Sequence, residues 1–154
     1  MCYRIYIVRS GDMRGMSMLP TVRPGDWLLV RGRRNSPLRR GDIIVHAAEQ
    51  GGNDEVVKRV VGLPGEEVRL REGSLYIDGK PLHEPYLGGQ PSSLGLDDRA
   101  WNVGDGAVFV MGDNRVHSTD SRDYGEIGLD SVLGRVVSRL WPPARWGGLG
   151  SGVG

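Results

Sequence analysis

Glu67-Val-Arg-Leu-Arg-Glu-Gly-Ser-Leu-Tyr-Ile-Asp-Gly-Lys-Pro-Leu82 is written in the period of a sheet. Val68 and Leu70 alternate with Glu67, Arg69 and Arg71, so an extended chain there has one apolar and one charged side. Asp78-Gly79, between segments 74–78 and 80–82, is the two-residue signal that closes an antiparallel hairpin. The same pattern continues outward. Short apolar runs at 3–9, 27–31, 42–47, 55–62, 107–111 and 133–140 are punctuated by Gly, Pro and Asp. No window of a dozen residues carries a helical period. The expectation is an all-β, mostly antiparallel domain with long loops over residues 1–146. Residues 83–104, poor in alternation and rich in turn formers, are expected to be a surface loop insertion. Residues 147–154 are expected to be a flexible Gly-rich tail.

Composition narrows the function. A chain of 154 residues is one domain's worth, and its 25 Gly and 9 Pro are largely turn punctuation. With 20 basic against 19 acidic residues the net charge is +1, which argues against a dedicated nucleic-acid binder. The single cysteine, Cys2, excludes an internal disulfide and a Cys-based zinc cluster. His46, His83 and His117 are dispersed without metal-ligand spacing, so no metal or cofactor is expected. No apolar run approaches the 18–20 residues of a membrane-spanning helix, and Arg4 and Arg9 break up the start where a secretory signal would lie.

All but two of the basic residues are Arg; the exceptions are Lys58 and Lys80. In Glu55-Val-Val-Lys-Arg-Val-Val-Gly62 a strand places Val56, Lys58 and Val60 on one face and Val57, Arg59 and Val61 on the other. One of the two cations must therefore point at apolar neighbours. Two readings are open. An edge strand would let the Lys58 stem snorkel to water. Alternatively Lys58 is a desolvated amine, and a shift of its pKa to about 7–8 would make it a general base at neutral pH, a task that Arg, always protonated, cannot perform.

Ser17 sits in Gly15-Met16-Ser17-Met18-Leu19-Pro20-Thr21, a turn context in which a serine is ordinarily only a turn residue. It gains interest if a base lies nearby in space, because Ser with Lys is one form of the activated hydroxyl nucleophile. The polar stretch from Gly112 to Gly125, directly after the apolar run 107–111, holds two Ser, two Arg and several acids. Asx turns alone would explain Gly112 to Asn114. A loop that orients an amine would in addition need a hydroxyl acceptor with a fixed ion pair behind it.

Four segments in order closely resemble the conserved boxes of bacterial type I signal peptidases: Ser17-Met-Leu-Pro-Thr21, Pro24-Gly-Asp26, Lys58-Arg-Val-Val-Gly-Leu-Pro-Gly-Glu66, and Gly112-Asp-Asn-Arg-x-x-Ser118-x-Asp120-Ser-Arg122-x-x-Gly125. The resemblance runs from about residue 12 to residue 140. It implies a β catalytic domain of the signal-peptidase and LexA-like kind. Ser17 would be the nucleophile and Lys58 its general base, with Ser118 orienting the amine and Asp120 and Arg122 holding the loop. Met18 and Val57 would line the substrate pockets, and the Ser17 main-chain N–H would form the oxyanion hole. Some members add a hydroxyl two places before the nucleophile; here that position is Gly15. The implied substrates are secretory preproteins, bound extended and cut after small residues in an Ala-x-Ala pattern. The implied place is the cell membrane, with the site on its extracytoplasmic face and the anchor helix missing from this chain. Trp27, Trp141 and Trp146 are candidates to touch the membrane surface.

Other readings stand beside this one. A Ser-His-Asp hydrolase would use His117, next to Ser118 but at a position that the family pattern leaves open. A LexA-type self-cleaving protein shares the Ser-Met-x-Pro turn and the Val-Lys-Arg strand. It would need a DNA-binding domain and a cleavage loop upstream, yet only 16 residues precede Ser17. A non-catalytic β module that binds peptides is the third.

Overall fold

The structure, a computed structural model, describes residues 2–9, 13–33, 36–49, 51 and 53–149, with the backbone alone for 13 and 14. Among the described residues eleven strands make two antiparallel sheets. They are β1 (Tyr3–Ile7), β2 (Trp27–Gly32), β3 (Ile43–Ala47), β4 (Glu55–Gly62), β5 (Glu67–Arg71), β6 (Ser74–Ile77), β7 (Lys80–Pro81), β8 (Asp98–Asn102), β9 (Ala107–Met111), β10 (Ile127–Gly128) and β11 (Val132–Trp141). The larger sheet runs β1-β2-β11-β3-β4-β9-β10 and the smaller β7-β6-β5-β8. A one-turn helix, α1 (Ser121–Tyr124), follows the loop after β9.

The segment that announces the fold behaves as its pattern requires. Val68 and Leu70 are buried and pair with Ile77 and Leu75 of β6. At the turn, Asp78 has φ 49° and Gly79 φ 79°, the two left-handed residues of a hairpin whose twist matches its strands. The apolar face of this hairpin packs with Val61, Phe109 and Met111 of the larger sheet. Each such side chain, fully buried, stabilises the fold by roughly 1.5–3 kcal/mol.

The pairing of β3, β4 and β9 decides the rest. Ile44 opposes Lys58, Ile43 opposes Arg59, and Arg59 opposes Met111 on the far side. β4 is thus an interior strand, and both its faces are covered. Val57 belongs to a cluster with Val8, Met18, Val22 and Leu28, while Val60 packs with Ile44, Val110 and Ile127 on the opposite face. Sequence reading required one buried cation on β4; the sheet buries both, Lys58 to 4% exposure and Arg59 to 0%. The edge-strand reading of Lys58 does not hold.

Two further readings need correction. Residues 83–104 are not loop throughout, because 98–102 form β8, which pairs with β5 from Glu67↔Asn102 to Arg71↔Asp98. β8 is an edge strand with exposed Asp98, Arg99 and Ala100, so no alternation marks it; its anchor is Trp101, 4.9 Å from the Phe109 ring. In the same segment Leu87 and Ser92 are buried rather than on the surface. Of the tail, Gly147 bridges to Arg139 and Leu149 packs on the cluster around Val8 and Met18; residues 150–154 lie outside the described residues. The remaining strands match their expected bounds to within two residues, except β10, too short to leave a periodic signal.

Candidate active site

Ser17 follows a short 3-10 turn (Met13–Met16) and is 3% exposed. Its carbonyl accepts a hydrogen bond from Asn114 N–H at 2.8 Å, and the Asn114 side chain donates to Met16 O at 3.1 Å. The loop after β9 is thereby stitched to the serine turn. From the middle of β4 Lys58 reaches the same point, and its Nζ lies 2.7 Å from Ser17 Oγ. As an ammonium Nζ donates to that oxygen; as a free amine it is placed to accept the hydroxyl proton. Burial among apolar residues pushes Lys58 down to about 8, against the opposing pull of the Asp120 carboxylate. A usable fraction is therefore neutral near physiological pH.

Ser118 Oγ donates to Asp120 Oδ2 at 2.8 Å. Asp120 is fully buried and forms a two-pronged pair with Arg122, Nε to Oδ1 and Nη2 to Oδ2 both at 2.9 Å. Burial resists ionisation of Asp120, but the Arg122 guanidinium, the Gly112 N–H and the Ser118 hydroxyl override it and hold the carboxyl below its usual range. Asp120 also caps α1, exchanging bonds with Arg122 N and Asp123 in a capping box. Gly112 has no room for a side chain: a Cβ there would collide with the Ser118 side chain and the Ser17 carbonyl. The close approach of the two loops depends on that glycine.

Ser17, Lys58 and Ser118 open onto a cleft of about 550 Å³, whose walls include Val56, His117 and Tyr124. Beside it, Met18 and Val57 line a separate pocket of about 20 Å³ with Val8, Val22 and Gly15. That volume holds little more than a water molecule or a methyl group. The Lys58 amine stands at hydrogen-bonding distance from Ser17 Oγ, and His117 stands on the cleft wall. Among the described residues no group of His, Cys, Asp and Glu is arranged to hold a metal ion.

Sequence reading passed over the support behind the site. Arg59 binds Asp113 in two prongs, at 2.8 and 2.7 Å, with both side chains at 0% exposure. Asp113 in turn accepts the Thr21 hydroxyl at 2.5 Å, tying β4 to the serine turn. Both residues sit in the quoted boxes, so the signal was present, but their pairing depends on the fold. His46, read from the sequence only as one of three dispersed histidines, is part of the interior. It is fully buried, with Nδ1 2.7 Å from Ala47 O and no partner for Nε2, and burial pushes it down to about 4.

Comparison with known proteins agrees in family and fold. Residues 1–141 match the family described as signal peptidase, peptidase S26. A signal peptidase I of Bacillus caldolyticus is 36% identical over 90% of this chain and 82% of its own length. A probable signal peptidase I-1 of Synechocystis is 40% identical, over 96% of this chain and 79% of its own. The crystal structure of a signal peptidase I from Enterococcus faecalis V583 superposes with a TM-score of 0.57 at 36% identity, covering 65% of this chain and 97% of that one.

Proposed function

The chain belongs to the signal peptidase family of peptidase S26 and is a serine peptidase, and on that premise we propose that Ser17 and Lys58 are its catalytic dyad. The observation that carries the reading is the 2.7 Å contact between a buried amine, lowered to about 8, and the serine hydroxyl. Lys58 takes the proton as Ser17 Oγ attacks the scissile carbonyl, and the resulting ammonium protonates the departing amine. Water, activated by the same amine, then releases the acyl group. Ser118 orients the amine, and Asp120 with Arg122 fixes Ser118.

The substrate in this reading is a secretory preprotein, cut after small residues. The pocket of about 20 Å³ behind Met18 and Val57 supports it, since it takes a methyl side chain and excludes larger ones. A membrane surface is the proposed neighbour. Ile7, Trp27 and Trp141 lie in register across β1, β2 and β11, with the two indoles 6.2 Å apart, and all three are exposed. Among the described residues no helix is long and apolar enough to cross a membrane.

The test is cleavage of a preprotein bearing Ala-x-Ala before its cut site, by wild type, Ser17→Ala and Lys58→Ala, each checked for folding. Both variants are expected to lose activity by about 10³-fold or more. Cleavage at the wild-type rate by either would overturn the dyad.

A further inference from the structure

Glu84 belongs to none of the boxes that carry the family resemblance, and it touches none of Ser17, Lys58 and Ser118. It lies in the segment between β7 and β8, just before a 3-10 turn (Pro85–Leu87), with its side chain only 6% exposed. Its carboxylate accepts four hydrogen bonds. Arg115 Nη2 and the Tyr86 hydroxyl reach Oε1 at 2.6 and 2.7 Å; Ser92 Oγ and Arg115 Nη1 reach Oε2 at 2.7 and 3.3 Å. A buried carboxylate so fully occupied is held in one place, and the guanidinium on it has one orientation.

Two chains of contacts lead from this point to the dyad. Arg115 Nε donates to Gly112 O at 2.8 Å, while Gly112 N–H donates to Asp120 Oδ2 at 3.0 Å, the oxygen that also receives Ser118. The glycine squeezed between Ser17 and Ser118 is thus gripped from both sides. Along the second chain, the Tyr86 ring lies 3.9 Å beneath the Arg59 guanidinium, which holds Asp113, which holds Thr21 in the serine turn.

We propose that Glu84 is a positioning residue for the reaction: through Arg115 it clamps the loop after β9 so that Ser118 and Gly112 keep the Lys58 amine dry and aimed at Ser17. The proposal rests on the dyad reading above. It gives the segment 83–97 a role beyond connecting two strands, because its Glu84 carboxylate reaches the loop that carries Ser118.

Glu84→Gln keeps the size of the side chain but offers one acceptor oxygen and turns an amide donor against the donors of Arg115. With the clamp loosened, water reaches Lys58 and desolvation weakens. In steady-state cleavage of the preprotein the folded variant is expected to show kcat lowered about tenfold or more, KM within about twofold of wild type, and a rising pH limb displaced upward by about half a unit or more. Ser92→Ala, which removes one hydroxyl from the clamp, should move the same quantities in the same direction by less, and it decides the matter if Glu84→Gln does not fold. A folded variant with wild-type kcat and an unmoved limb overturns the proposal, as does a raised KM at unchanged kcat. Ser17→Ala and Lys58→Ala, run alongside, separate the two failures: active dyad variants sink the dyad, whereas inactive dyad variants with a normal Glu84→Gln sink only the clamp.

Discussion

Gly15 occupies the place where some relatives carry a second hydroxyl near the nucleophile, and its surroundings explain why none is present. A Cβ there would run into the Arg9 carbonyl and press on Pro24. Gly15→Ser is therefore expected to destabilise the protein by about 1–3 kcal/mol, through forced displacement of backbone, and to bring no gain in kcat. Thermal melts and steady-state rates check both halves. In the proposed reaction the Ser17 main-chain N–H, alone or with another group, then stabilises the oxyanion. Lys58 sets the other expectation at this scale. The free amine is the working form, so kcat/KM should rise with pH through about 8, and a lower limb typical of an imidazole would implicate His117 instead. Ser17, Lys58, Ser118, Asp120 and Arg122 were legible as candidates through the boxes that carry the family resemblance. That Lys58 is desolvated was legible only as one of two open readings, and its burial beside Ile44 of β3, a strand brought up from elsewhere in the chain, decides between them.

Among the elements, β4 is the one on which the site hangs. Its period-2 pattern was legible and correctly separated Lys58 from Arg59 onto opposite faces. Its position between β3 and β9 was not, since strand order depends on long-range pairing that local patterning does not encode. That position buries Arg59 as the partner of Asp113, where the pattern alone required only one of the two cations to face apolar neighbours. Arg59→Met leaves the Asp113 charge buried and unpaired, and is expected to cost about 3–5 kcal/mol of stability. Adding Asp113→Leu should recover most of that loss in denaturant unfolding, but not the cleavage rate, because Thr21 and the serine turn lose their tie to β4. A double variant as unstable as the single one would show that the pair contributes by more than mutual neutralisation. β8 teaches the converse: an edge strand of exposed charged residues carries no apolar alternation, and only its pairing with β5 makes it a strand.

The whole molecule accepts a cost at its centre. Lys58 has a pKa near 8 in the folded chain against 10.5 as the ordinary value, so below about 8 the folded state holds a buried ammonium that the unfolded chain hydrates freely. The penalty is relieved as pH rises from 8 towards 10.5, where the unfolded chain still binds the proton that the folded one has released. Lys58→Met should therefore raise stability at pH 7 by on the order of 2–3 kcal/mol and flatten that alkaline rise, as measured by unfolding at several pH values. On the outside, the row Ile7, Trp27 and Trp141 predicts co-sedimentation with phospholipid vesicles that drops when both indoles are replaced by Ala; absence of binding by the wild type would remove the membrane surface from the proposed partners. The β class and most strand bounds follow from local pattern, and the candidate site residues from motifs that resemble a known family, because period, turn type and motif order are properties of short segments. Which strand lies inside, that both cations of β4 are buried, that Glu84 meets Arg115, and how far burial lowers the Lys58 amine were decided by the tertiary structure alone, because burial and electrostatics are set by neighbours far away in the chain.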